Sequence, residues 1–277
     1  MKTVAVMGSF DDLQSQHVRF LEEAGKLGAV RVLLWSDAIV AALTGKLPKF
    51  PQAERHYLLQ AIRYVQSVGQ IDYHLDALPV VAGLQPDIWA VAEADDTPQK
   101  RAFCAAQGVE YHLFSAVDFG GFPTPPADET SPSAIGHQPS TRKKVIVTGC
   151  FDWLHSGHIR FFEEVSQLGD LYVVVGHDAN VHLLKGEGHP LFPAEQRRYV
   201  AGSIRYVKQA LISTGHGWMD AEPEIERLKP DLYAVNEDGD VPEKRTFCAE
   251  HGLELVVLKR TPKEGLPKRV STDLRGF

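Results

Sequence analysis

A parallel α/β architecture, written twice along the chain, is the fold class the sequence predicts. Two observations carry that expectation. Residues 145–165, VIVTGCFDWLHSGHIRFFEEV, pass from a run of strand formers through a tight turn into a helical pattern. Residues 4–28 then prove to repeat residues 145–169 without a gap, with 14 of 25 aligned pairs identical. A duplicated supersecondary unit of this kind implies two domains that fold alike.

Each element follows from local chemistry. Val145, Ile146, Val147 and Thr148 are mostly β-branched and apolar, as a strand buried on both faces requires, and Gly149 is expected to end it with a sharp turn. Ile159, Phe162 and Val165 then fall on one face of a helix. His155, Ser156, Gly157 and His158 therefore stand at a helix mouth, where backbone N–H groups and the positive dipole end favour an anion such as phosphate. Gly157 would let that anion approach, and two imidazoles can donate hydrogen bonds to it.

Downstream, residues 171–185 read as a buried strand ending at Gly176, followed by a loop and a short helix from near Asp178. Tyr199, Val200, Ile204, Val207 and Leu211 give a helical face running into a further strand. Leu232–Val235 form another strand, leading to an acidic loop from Asn236 to Asp240, and a last strand ends at Thr261. The repeat returns here, because KRAFCAAQGVE at 100–110 matches KRTFCAEHGLE at 244–254 at seven of eleven positions. Residues 120–144 are rich in Pro, Ser, Thr and Gly and read as a linker, which gives domains at 1–119 and 145–277.

Composition bounds the function. The 277 residues suffice for two cores, no apolar run reaches the length of a membrane span, and MKTVAVMGSF reads as a buried strand rather than a signal peptide. Three unpaired cysteines, Cys104, Cys150 and Cys248, point to a reducing cytoplasm. A net charge of −7 argues against a nucleic-acid surface. Residues 1–140 carry 10 Lys and Arg against 16 Asp and Glu, whereas residues 141–277 carry 19 against 20, so a polyphosphate site belongs in the second half.

GCFDWLHSGH resembles the HxGH signature of the cytidylyltransferase-like nucleotidyltransferases, with His155, Gly157 and His158 in the motif positions. The resemblance implies a doubly wound, Rossmann-like parallel sheet in each copy. It also implies transfer of a nucleotidyl group from CTP or ATP to a phosphorylated acceptor, with release of pyrophosphate. LKGEGHPLFPAEQRR at 184–198 is similar to the family's lysine loop and following helix, placing Lys185 and Arg197 at matching positions. Arg260, Thr261, Gly265, Ser271 and Thr272 resemble the RTxGxST element, although extra residues separate the glycine from the Ser-Thr pair. By this resemblance His155, His158 and Lys185 are the catalytic candidates. Gly149, Cys150, Phe151, Gly157, Arg197, Ser271 and Thr272 are the nucleotide-binding ones, and Mg²⁺ accompanies the triphosphate.

The copies differ where the chemistry would be. Gln14 stands opposite His155 and Gln16 opposite Gly157, and only His17 matches His158. A glutamine amide is a weaker, uncharged donor, so the first copy reads as catalytically dead. The two-copy layout resembles ethanolamine-phosphate cytidylyltransferases of phospholipid biosynthesis, and the first copy would then supply a partner surface, as an internal pseudo-dimer or within a homodimer.

Blander readings stand beside these. Two histidines three apart can ligate zinc, but no nearby Cys or carboxylate completes a tetrahedral set, so phosphate is favoured and no metal ligands are assigned. Lys185 could be a solvated loop lysine, but Gly186 and Gly188 flank it as in a phosphate loop. Arg197 and Arg198 point differently on one helix, and Arg197 is favoured by the family match. Asp152 is expected to brace the turn, since Asp11 is retained in the dead copy. Ser271 and Thr272 could cap a terminal helix, and the charged groups of the acidic loop could be merely solvated.

CTP with phosphoethanolamine or glycerol 3-phosphate fits the tandem layout and is favoured. Adenylyl transfer to a sugar phosphate such as heptose 1-phosphate fits KGEGHP and the PxEQR that follows. The rival from another class is a nucleotide-binding regulatory protein without turnover.

Overall fold

The computed structural model describes residues 1–72, 85–123 and 141–270. The expected Ser271 and Thr272 contacts, and residues 124–140 of the expected linker, lie outside the described residues. Two compact units divide the chain between Gly121 and Phe122.

In the first unit the order is β1 (Thr3–Gly8), α1 (Ser15–Leu27), β2 (Ala29–Trp35), α2 (Asp37–Thr44), α3 (Gln52–Ala61), β3 (Val65–Ile71), β4 (Ile88–Ala92), α4 (Pro98–Gln107) and β5 (Glu110–Phe114). The second unit repeats it as β6 (Lys144–Gly149), α5 (Ser156–Val165), β7 (Asp170–Val175), α6 (Asp178–Lys185), α7 (Ala194–Gly202), β8 (Val207–Ile212), α8 (Glu222–Leu228), β9 (Leu232–Asn236), α9 (Pro242–Glu250) and β10 (Glu254–Leu258). Both sheets have five strands, in the orders β3-β2-β1-β4-β5 and β8-β7-β6-β9-β10, and every pairing is parallel. These are the doubly wound, Rossmann-like α/β sheets the sequence predicts.

The apolar stripe of α5 behaves as its spacing requires. Ile159, Phe162 and Val165 are fully buried, each contributing roughly 1.5–3 kcal/mol of burial free energy. The helical reading of Val207 and Leu211 is corrected: α7 ends at Gly202, and both residues belong to β8. A Cβ at Gly202 would stand 3.4 Å from the Ala210 methyl, which is how closely that helix end meets the strand.

Strand pairing opens the site. β6 and β9 pair at Val145–Leu232 and Ile146–Tyr233 and then part, because the chain order reverses between them. The carboxyl ends splay into a crevice, bridged by a 2.6 Å hydrogen bond between the Thr148 and Tyr233 hydroxyls. β1 and β4 part in the same way after Val4–Ile88 and Ala5–Trp89.

Candidate active site

A cleft of about 250 Å³ fills the crevice above β6 and β9, lined by residues of the strand-end turn, α5, α6 and the segments after β9 and β10. Its floor is the turn after β6. Gly149 ends β6 as expected, without a left-handed backbone. That conformation falls on Phe151, at φ 50°, and it swings the Phe151 ring beneath Gly149. A Cβ on Gly149 would lie 2.9 Å from that ring, so close packing is what demands glycine here. The ring continues to an edge contact with His158 at 5.3 Å between centroids.

His155 is the N-cap of α5, and its Nδ1 accepts a 3.1 Å hydrogen bond from the Gly157 N–H. Of the N–H groups at this helix mouth, that of Gly157 is thus taken by the imidazole. Gly157 is needed for a different reason: a Cβ there would stand 3.0 Å from the His155 ring and 3.2 Å from the Arg269 carbonyl. With Nδ1 an acceptor, the neutral His155 ring carries its proton on Nε2. The His158 ring stacks on that of His155, and its buried Nδ1 has no hydrogen-bond partner among the described residues. Burial, reinforced by Arg260 and Arg269, pushes His155 down to about 4. Burial, then the neighbouring His155, Arg260 and Lys185, holds His158 well below its usual range. Both rings are neutral at pH 7.

Lys185 ends α6, is exposed, and lines the cleft. The loop after it is pinned by Asp152, whose carboxylate accepts from the Leu191 N–H at 2.7 Å and the Phe192 N–H at 3.0 Å. Asp152 thus braces the lysine loop rather than its own turn. Asp11 makes the matching bonds to Lys49 and Phe50 in the first unit, at 2.7 and 2.9 Å.

Arg197 does not line the cleft, contrary to the expectation that it binds nucleotide. It is 2% exposed, and its guanidinium is spent on the Phe192, Cys150 and Gly176 carbonyls and on Asp178, all within 2.8 Å. A buried guanidinium saturates the backbone oxygens that irregular loops leave unpaired, and here it ties three loops together. Arg55 repeats this in the first unit through Phe50, Ser9 and Asp37. Cys150, a nucleotide-binding candidate by the resemblance, is half-buried and lines the cleft.

Sequence reasoning missed Lys244. It stands in the first turn of α9, half-buried, with its ammonium 5.0 Å from the centre of the Tyr233 ring, and it lines the cleft. Burial lowers its pKa, opposed by Cys248 and Asp238. Its retention as Lys100 in the repeat disguised it as structural. Arg260 also enters the cleft, paired to Asp238 at 2.7 Å. The altered RTxGxST-like segment folds against α5, where Lys263, ahead of its glycine, meets Glu163 at 2.9 Å.

The site therefore gathers Lys185, Lys244, Arg260 and the His158 imidazole, with the His155 ring stacked on it, around one crevice at a topological switch point, an arrangement suited to a polyphosphate. Among the described residues, no helix is long and apolar enough to cross a membrane.

Residues 146–260 match the family model described as cytidylyltransferase-like. An FAD synthase of Ferroglobus placidus is 37% identical over 125 residues, covering 44% of this chain and 78% of that protein. An FAD synthase of Archaeoglobus profundus is 39% identical over 124 residues, 44% of this chain and 76% of that protein. One from Pyrococcus horikoshii is 43% identical over 104 residues, 36% of this chain and 68% of that protein. Through its second unit, the chain belongs to the cytidylyltransferase-like family of nucleotidyltransferases.

Proposed function

We propose that the second unit transfers an adenylyl group from ATP to a small phosphorylated acceptor, releasing pyrophosphate. The carrying observation is His158, backed by the stacked ring of His155, on a cleft that Lys185, Lys244 and Arg260 also line. The donor follows from the relatives: an FAD synthase is an adenylyltransferase, and this favours ATP over the CTP suggested by the tandem layout. FMN thereby joins the sugar phosphates as an acceptor to test.

In the reaction an acceptor phosphate oxygen attacks the α-phosphorus in line. One P–O bond forms, the bond from the α-phosphorus to the bridging oxygen breaks, and pyrophosphate leaves with the electron pair. The nucleophile is already an anion, so no strong base is needed, and positioning and charge stabilisation supply the catalysis. Two unit charges about 4 Å apart repel by roughly 4 kcal/mol at an effective dielectric near 20, which is what Lys185 and Lys244 would offset. The neutral histidines act as hydrogen-bond donors to the α-phosphate, His155 through Nε2. Mg²⁺ would enter on the triphosphate oxygens and their waters, because Asp152 is committed to backbone amides and Asp238 to Arg260. Gly149 and Phe151 shape the floor, and the first unit, lacking counterparts of His155 and Arg260, does not turn over.

Pyrophosphate release tests this. ATP and CTP are crossed, with Mg²⁺, against FMN, heptose 1-phosphate, phosphoethanolamine and glycerol 3-phosphate. Release with ATP and one acceptor, lost in His155→Ala, supports the reading. Release with CTP alone overturns the donor, and nucleotide binding without release from any pair leaves a binding protein.

A further inference from the structure

The first unit has its own cavity over the parted ends of β1 and β4, about 520 Å³ in volume. It occupies the position of the second unit's cleft: nine of its twelve lining residues align with residues that line that cleft. The ungapped repeat of 4–28 on 145–169 places Met7 on Thr148, Gly8 on Gly149, Phe10 on Phe151 and His17 on His158. Aligning KRAFC at 100 with KRTFC at 244 places Ala92 on Asn236, Ala94 on Asp238 and Ala116 on Arg260.

These replacements all run one way. A hydroxyl, an amide, a carboxylate and a guanidinium become Met7 and three alanines, and among the described residues no Lys or Arg lines the cavity. Lys100, the counterpart of Lys244, is turned away and buried, with its ammonium on the Asp95 carbonyl. The charged groups left are the carboxylates of Glu93 and Asp95. A phosphate would meet repulsion there with nothing to offset it.

What remains is built for flat rings. Phe20 and Phe119 meet edge to face at 5.9 Å, and Phe10 and His17 at 6.0 Å. The volume falls within the range of about 300–1,000 Å³ typical of small-molecule pockets, with apolar walls and a few polar groups. Carboxylates accept hydrogen bonds from amino and hydroxyl groups. We infer that the first unit binds a phosphate-free, planar heteroaromatic ligand bearing hydrogen-bond donors, of the nucleoside class, in this cavity. It is then a ligand-binding module rather than an empty relic of a transferase. The argument leans on the nucleotide reading of the second cleft for the position of the site, and on its own lining for the chemistry.

The test is titration calorimetry and ligand-observed NMR on the full-length protein with adenosine, cytidine and guanosine, each with and without saturating ATP and Mg²⁺. At least one nucleoside should bind with one-to-one stoichiometry, unaffected by ATP and by His158→Ala. Ala116→Trp, at an exposed position on the cavity, should weaken it at least tenfold. The matching monophosphate should bind at least tenfold more weakly, and Glu93→Lys, which leaves the walls intact, should narrow that gap. Failure of all three nucleosides to bind, binding indifferent to Ala116→Trp, or equal affinity for nucleoside and monophosphate would overturn the inference. A silent pyrophosphate assay would count against the proposed reaction and leave this result standing.

Discussion

The imidazoles of His155 and His158 lie stacked with ring centroids 3.9 Å apart and planes inclined by 24°. Two imidazolium ions could not share that spacing in a buried site without strong repulsion, so the stack admits at most one charge, and burial of both rings disfavours even that one. In the proposed reaction the pair would offer phosphate directed hydrogen bonds, and the positive charge would come from Lys185, Lys244 and Arg260.

Stability should record this neutrality. The unfolded chain takes up protons at its histidines near pH 6.5, whereas folded His155 does so only near 4 and His158 well below its usual range. Their contribution to stability is fully present above about pH 6.5 and is lost as pH falls toward 4, by on the order of 3 kcal/mol for His155. Denaturant unfolding at pH 7 and pH 4.5 should show a larger acid loss in the native protein than in a His155→Ala/His158→Ala variant. Equal losses would contradict the neutral stack.

Gly157→Ala should damage activity more than stability. Its methyl would press on the His155 ring at 3.0 Å and the Arg269 carbonyl at 3.2 Å, moving the ring off its cap. Turnover should fall about a hundredfold, the order expected for a misplaced transition-state donor, with Tm lowered by only a few degrees. Unchanged turnover would remove His155 from the reaction.

Arg197→Ala should do the reverse. It strands three backbone carbonyls and the Asp178 carboxylate, at a cost of roughly 3–5 kcal/mol. Arg55→Ala should cost a comparable amount in the first unit, and chemical denaturation measures both. A stable Arg197→Ala protein with a raised KM for nucleotide would return this residue to the binding site.

Lys244→Met keeps most of the buried stem and removes the charge. If the ammonium meets the polyphosphate, kcat/KM should fall about tenfold to a hundredfold while Tm holds, since a charge-assisted hydrogen bond is worth about 1.5–3 kcal/mol. Steady-state kinetics across a range of ionic strength checks this, because the native enzyme should be the more salt-sensitive.

The sequence by itself determined the parallel α/β class, the duplication and the neighbourhood of the site. Strand and helix periods and a repeated motif are local properties, readable wherever Val145–Thr148 or the stripe Ile159, Phe162, Val165 occurs. Only the tertiary structure decided what individual groups do there. Arg197 sits in a matching motif position, yet three loops converge on it and spend its guanidinium on carbonyl oxygens. Lys244, 59 positions beyond Lys185, reaches the same cleft because β6 and β9 part where the chain order reverses. Gly149 and Gly157 are glycines for the rings packed against them, not for their backbone angles. Such facts depend on which segments meet in space and on which hydrogen bonds are already taken, and a linear pattern of residue types carries neither.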